Sequence, residues 1–159
     1  CRVHGVGRSA RSNDSDFSVI YASEDFDQGL ADADYVVVAA PLTDKTRGLF
    51  GAKQFTAMKK SARFINVGRG ALVIEPALVA ALEQQQIAGA ALDVFETEPL
   101  PLDSPLWNFE NVIVSPHMSG DYDGHHGTVA QIFFDNLRRF RNGEPLLNRV
   151  DKRLGFVTD

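Results

Sequence analysis

The chain has a single cysteine, Cys1, among 159 residues, so no internal disulfide can form and the cytosol is the default compartment. It has no excess of base: 16 Lys and Arg stand against 21 Asp and Glu, a formal net charge of -5. That balance argues against nucleic acid or an anionic membrane as the main partner. No apolar run approaches the roughly 20 residues of a membrane span, and no secretory leader pattern opens the chain. Asn13-Asp14-Ser15 fits a glycosylation sequon, but nothing else points to secretion and it reads as chance. An initiating methionine is absent too, and Arg2-Val3-His4-Gly5-Val6 already reads as a strand, so a piece of a longer polypeptide is expected. What is present, 44% apolar and 23% charged residues, suits an ordinary globular domain with a sizeable core.

Strand and helix patterns alternate from end to end. After the opening strand, residues 9–16 are polar and turn-like. Residues 24–32 read as a short helix, and Tyr35-Val36-Val37-Val38-Ala39-Ala40 as a nearly continuous apolar strand. Such a strand is expected in a parallel sheet covered on both faces. A helix is expected over 51–60 and a strand over 62–66. Residues 75–86 form the clearest amphipathic helix, with Pro76 in its first turn. Strands over 87–93 and 111–114 follow, separated by a proline-rich loop. Residues 125–142 place Val129, Ile132, Phe133, Leu137 and Phe140 at helical spacing, which predicts a core-packing helix stopped by Gly143. Repeated βα units imply an α/β fold, a doubly wound parallel sheet of Rossmann type, with ligands at the carboxyl ends of strands.

Three polar residues follow predicted strands. Arg69 lies in Asn66-Val67-Gly68-Arg69-Gly70, Glu98 in Asp93-Val94-Phe95-Glu96-Thr97-Glu98-Pro99, and His117 in Val114-Ser115-Pro116-His117. Each has a plain reading alone: a solvated loop arginine, a loop cap, the end of a strand. Together, a cation, a carboxylate and an imidazole at neighbouring strand ends can hold an anionic substrate and move a proton. His125 and His126 match no motif and read as solvated, and His4 reads as a strand residue. No metal site is expected.

These segments, with Ala40-Pro41-Leu42-Thr43-Asp44-Lys45-Thr46-Arg47-Gly48-Leu49-Phe50 and Ile87-Ala88-Gly89-Ala90-Ala91-Leu92-Asp93, resemble the D-isomer-specific 2-hydroxyacid dehydrogenases in order and spacing. The resemblance covers nearly everything from about residue 33 onward. It implies a nicotinamide-dependent oxidoreductase acting between small 2-oxo acids, such as glyoxylate or hydroxypyruvate, and D-2-hydroxy acids. It assigns Arg69 as substrate anchor, His117 as acid–base and Glu98 as the support of His117. Guanidinium geometry suits a carboxylate, histidine as a residue type titrates near neutrality, and an adjacent carboxylate favours the protonated imidazole and fixes its orientation. The resemblance also implies cofactor contacts at Pro41, Thr46, Val67, Gly68, Arg69, Asp93, His117 and Gly120. Asp93 would lie near the nicotinamide carboxamide, or else cap the loop that follows it. Residues 1–118 would be the cofactor domain, lacking its first strand, and 119–159 a helix and tail returning to a substrate domain. A homodimer is the family default, and Trp107 could reach a neighbouring site or pack an interface. A non-catalytic dinucleotide sensor of the same fold is the alternative.

Gly5-Val6-Gly7-Arg8-Ser9-Ala10 formally fits the G-x-G-x-x-[GA] dinucleotide fingerprint, but the polar stretch after it lacks helical periodicity. The segment reads better as the end of the second strand, which places the true fingerprint before Cys1. At that point an acidic residue usually meets the ribose of NAD. Here Gly7 is followed by Arg8, Ser9 and Arg11, which suits a 2′-phosphate and favours NADP over NAD.

Overall fold

A computed structural model describes residues 1–12 and 14–157, so Asn13 of the sequon lies outside the described residues. Two short parallel strands, β1 (His4–Gly7) and β2 (Val19–Ala22), form one pair. A four-stranded parallel sheet follows in the order β3 (Tyr35–Val38), β4 (Arg63–Asn66), β5 (Gly89–Leu92), β6 (Val112–Val114). Among the described residues β1 and β3 are each hydrogen-bonded along one edge only. This is the Rossmann-like α/β arrangement expected from the βα alternation.

Helices α1 (Ala52–Ala57) and α2 (Glu75–Glu83) pack together and on one face of the larger sheet. At the start of α1 the Gln54 side chain accepts the Gly51 N–H at 3.1 Å, satisfying a donor that the first helical turn leaves free. Pro76 starts α2, where its missing N–H costs nothing, and Gln85 ends it at φ 53. The register aligns Val36, Phe64, Ala90 and Val112 in one row, and Val38, Asn66, Leu92 and Val114 in another. With strand side chains alternating between faces, both rows point to the helices. Phe64 and Phe55, both 0% exposed, meet edge to face at 5.2 Å under Phe50.

Three expectations are corrected. Residues 24–32 hold a single 3-10 turn, Phe26–Gly29, rather than an α-helix; four aspartates or glycines in that stretch favour turns. Among the described residues the continuous apolar strand β3 is covered on one face only: Tyr35 and Val37 are 61% and 59% exposed. Helix α3 (His125–Asn142), closed by Gly143 in the left-handed region, forms where periodicity places it but packs into no core. Phe133 and Phe140 on it are 62% and 74% exposed. Its periodicity reports an apolar face, and nothing among the described residues covers that face. A small antiparallel hairpin, β7 (Val150–Asp151) and β8 (Phe156–Val157), ends the described chain. Among the described residues no helix is long and apolar enough to cross a membrane.

Candidate active site

Because Asn66, Leu92 and Val114 stand side by side in the sheet, the loops leaving β4, β5 and β6 emerge next to one another at its carboxyl edge. Each loop is shaped by a polar group at the end of its strand or just past it. After β4, the buried Asn66 accepts the Gly68 N–H at 3.1 Å and donates to the Arg69 carbonyl at 3.1 Å. That side chain folds the backbone into a tight turn and sets Arg69 at its exit, in extended conformation. Gly68 is buried, and a Cβ there would meet Leu72 Cδ1 at 2.8 Å and the Ala40 carbonyl at 3.1 Å.

The next residue, Gly70, is where the first two loops touch. A Cβ on it would lie 1.9 Å from the Phe95 carbonyl carbon and oxygen, so only glycine permits this backbone approach. On the far side, Glu98 Oε1 accepts the Phe95 N–H at 3.0 Å, which turns Oε2 toward His117. Glu98 Oε2 and His117 Nδ1 are 2.7 Å apart. The Glu98 carboxyl is held below the usual carboxylate range, first by the His117 hydrogen bond, then by the Phe95 N–H, with the charges of His117 and Arg69 adding. Nδ1 being taken, Nε2 is the ring nitrogen left to face a substrate.

Arg69, Glu98 and His117 therefore line one crevice of about 290 Å³ together with Leu42, Gly70, Ala71, Phe95 and Glu96. A cation, an imidazole with a carboxylate behind it and apolar walls can seat a small anion and pass it a proton.

The remaining predicted residues occupy other positions. Thr46 Oγ1 donates to the Pro41 carbonyl at 2.7 Å and accepts the Thr43 N–H at 2.8 Å, closing the loop after β3 that carries Leu42 to the crevice. Val67 is partly exposed beside Gly68, and Gly120 lies in an open turn after His117, where an added Cβ would meet nothing within 4 Å. Asp93 is buried and directs both oxygens into the 115–119 loop. Arg8, Ser9 and Arg11 are exposed beyond the end of β1 and do not line the crevice, and Arg11 meets Asp14 at 3.6 Å. Among the described residues no helix follows directly on Gly5 and Gly7, which lie within β1, so the formal fingerprint does not open a helix as a phosphate loop would. Trp107 is half-exposed and donates to the Pro101 carbonyl at 2.8 Å.

Two contributors carried no assigned role in the sequence: Asn66 and Ser115. Asn66 was legible as an Asx turn former at a strand end. Ser115 was legible only as a hydroxyl beside Pro116, and its bond to Asp93 spans 22 residues of sequence.

A family model described as D-isomer specific 2-hydroxyacid dehydrogenase, NAD binding domain, matches residues 1–119. Glyoxylate/hydroxypyruvate reductase B of Escherichia coli is 45% identical over 150 residues, 94% of this chain and 45% of that protein. Among solved structures, a D-isomer specific 2-hydroxyacid dehydrogenase from Xanthobacter autotrophicus, in complex with NADPH and MES, is 43% identical with a TM-score of 0.85. The match covers 96% of this chain and 62% of that one. An NADPH-dependent glyoxylate/hydroxypyruvate reductase from Sinorhizobium meliloti, in complex with NADP and sulfate, is 33% identical with a TM-score of 0.85, over 98% of this chain and 49% of that one. The chain spans less than half the length of the curated relatives it matches.

Proposed function

The chain belongs to the D-isomer-specific 2-hydroxyacid dehydrogenase family, and from that premise we propose that it forms the cofactor-side half of a reductase of small 2-oxo acids. Glyoxylate and hydroxypyruvate are the substrates favoured, with NADPH preferred over NADH. The observation that carries the reading is the meeting of Arg69, Glu98 and His117 in one crevice, with the 2.7 Å Glu98–His117 pair at its side. The names of relatives at 45% and 33% identity support the choice of acid.

Each residue then has a task. The Arg69 guanidinium takes the substrate carboxylate through paired N–H groups, and its charge polarises the neighbouring carbonyl. His117, protonated, donates from Nε2 to the oxygen that gains negative charge during reduction, and takes the proton back in the oxidative direction. Glu98 favours the charged imidazole and fixes the ring through Nδ1. When bound, the dinucleotide supplies or accepts the hydride. The loops after β3, β4, β5 and β6, with Pro41, Thr46, Val67, Gly68, Asp93 and Gly120, border the position it would take. Arg8, Ser9 and Arg11 offer two cations and a hydroxyl past the end of β1, with Asp14 the carboxylate that Arg11 meets, a donor set that suits a 2′-phosphate. A homodimer in the cytoplasm completes the proposal. Its support is the apolar surface at Trp107 and along α3, and the single cysteine. Residues 119–159 would lead into the substrate domain.

The test is NADPH oxidation by the native polypeptide against a panel of 2-oxo acids. Arg69→Ala should raise KM and lower kcat/KM, and His117→Ala should lower kcat by about 10²–10⁴-fold. Full kcat in both variants ends the proposal. Dinucleotide binding without turnover of any acid would instead mark a binding module.

A further inference from the structure

We infer that Asp93 is a positioning residue for His117: its buried carboxylate holds the 115–119 loop in the backbone conformation that keeps the imidazole against Glu98. This rests on the function proposed above. Asp93 is 3% exposed at the first position past β5. Its Oδ1 accepts the Ser115 hydroxyl at 2.5 Å and the Met118 N–H at 2.9 Å, and Oδ2 accepts the Ser119 N–H at 2.8 Å. Its main-chain carbonyl accepts the His117 N–H at 2.9 Å. Three successive backbone N–H groups, those of residues 117, 118 and 119, thus end on one aspartate.

The reason that grip matters lies in His117 itself, whose φ of 54° is in the left-handed region. A histidine stays there only where its surroundings over-determine it. Consecutive N–H groups converging on an anion form a nest that stabilises such a bend, and a full negative charge serves it better than an amide. Burial works against the Asp93 charge. Hydrogen bonds from Ser115, Ser119 and the Met118 and Ser119 N–H groups outweigh it and hold the carboxyl well below its usual range. The groups facing the His117 ring are Glu98 directly and Arg69 and Glu96 across the crevice. Asp93 reaches it only through the backbone.

The experiment compares Asp93→Asn, Ser115→Ala and His117→Ala in the native polypeptide. It measures kcat, KM, the Kd of NADPH and the pH profile of reductive kcat/KM. Asp93→Asn should lower kcat on the order of 10–100-fold. It should move the alkaline fall of the profile to lower pH, because the ring no longer abuts Glu98, whatever it does to the NADPH Kd. Ser115→Ala, which removes one hydrogen bond and keeps the charge, should shift both quantities less and in the same direction. It decides the matter if Asp93→Asn fails to fold. Unchanged kcat and pH profile, or a weakened NADPH Kd with the pH profile intact, overturns the positioning role. An active His117→Ala would instead overturn the proposed function, so the two failures are told apart.

Discussion

Arg69 and Glu98 reach the same crevice because Gly70 lets the backbone of one loop press against the backbone of the other. The contact is main chain on main chain, so no rotamer change can relieve a side chain placed there. Gly70→Ala should therefore separate the Arg69 loop from Phe95 and destabilise the fold by about 1–3 kcal/mol or more, the usual cost of overpacking. The predicted signature is a drop in Tm with KM for the acid rising more than kcat falls. A Gly70→Ala protein with wild-type Tm and KM would mean that the close approach is dispensable. Glu98 behaves differently, since its two oxygens divide between the Phe95 N–H and His117 Nδ1. Its carboxyl is held below the ordinary value of 4.5, chiefly by the His117 hydrogen bond, so it stays ionised throughout the neutral range. Glu98→Gln keeps the shape and removes the charge. In that variant the alkaline fall of reductive kcat/KM should come at lower pH than in wild type, with the KM of NADPH unchanged. An unmoved profile would show that the carboxylate does not support the proton donor.

The helices differ in how they are held, and the difference can be measured. Phe64 on β4 is 0% exposed among Phe50 and Phe55, while Phe133 and Phe140 on α3 are largely exposed. Phe64→Ala should cost about 3–5 kcal/mol. Phe133→Ser with Phe140→Ser should instead shift the protein toward monomer in sedimentation, because the proposed homodimer would bury this face. A wild-type oligomeric state in the α3 double variant would mean that the dimer does not use this face. The same contrast marks what the sequence discloses. Periodicity located α1, α2 and α3 to within a few residues at their ends, and the motif loops placed Arg69, Glu98 and His117 at strand ends where they are found. Periodicity records that a face is apolar but not what meets it, so α3 was read as a core helix and β3 as covered on both sides. Residues 24–32 failed for a local reason, because their aspartates and Gly29 compete for turn geometry. The bonds of Asp93 to residues 115, 118 and 119 lie beyond local pattern, since they join segments 22 to 26 residues apart.

At the scale of the molecule, the site's carboxylates also tie stability to pH. Asp93 and Glu98 sit below their ordinary values of 3.8 and 4.5, and so does Asp27, chiefly through its Lys53 hydrogen bond. A carboxyl whose folded value is depressed binds protons more weakly than in the unfolded chain. Its contribution is therefore complete above the ordinary value, shrinks as pH falls below it, and is gone once pH has passed the lowered folded value. The wild-type Tm should be nearly level from neutral pH down to about 5 and fall steeply below about 4, as acid reaches these groups. Asp93→Asn should lie below wild type at neutral pH by about 1–3 kcal/mol, the range for leaving buried donors without their acceptor. That gap should narrow as pH drops below 3.8, because protonation then removes from the wild type what the substitution has already removed. Thermal unfolding of both proteins across this range, read by circular dichroism, decides the point. A gap that stays constant down to pH values well under 3.8 would mean that the Asp93 charge adds nothing to stability, and that the 115–119 loop is held by shape alone.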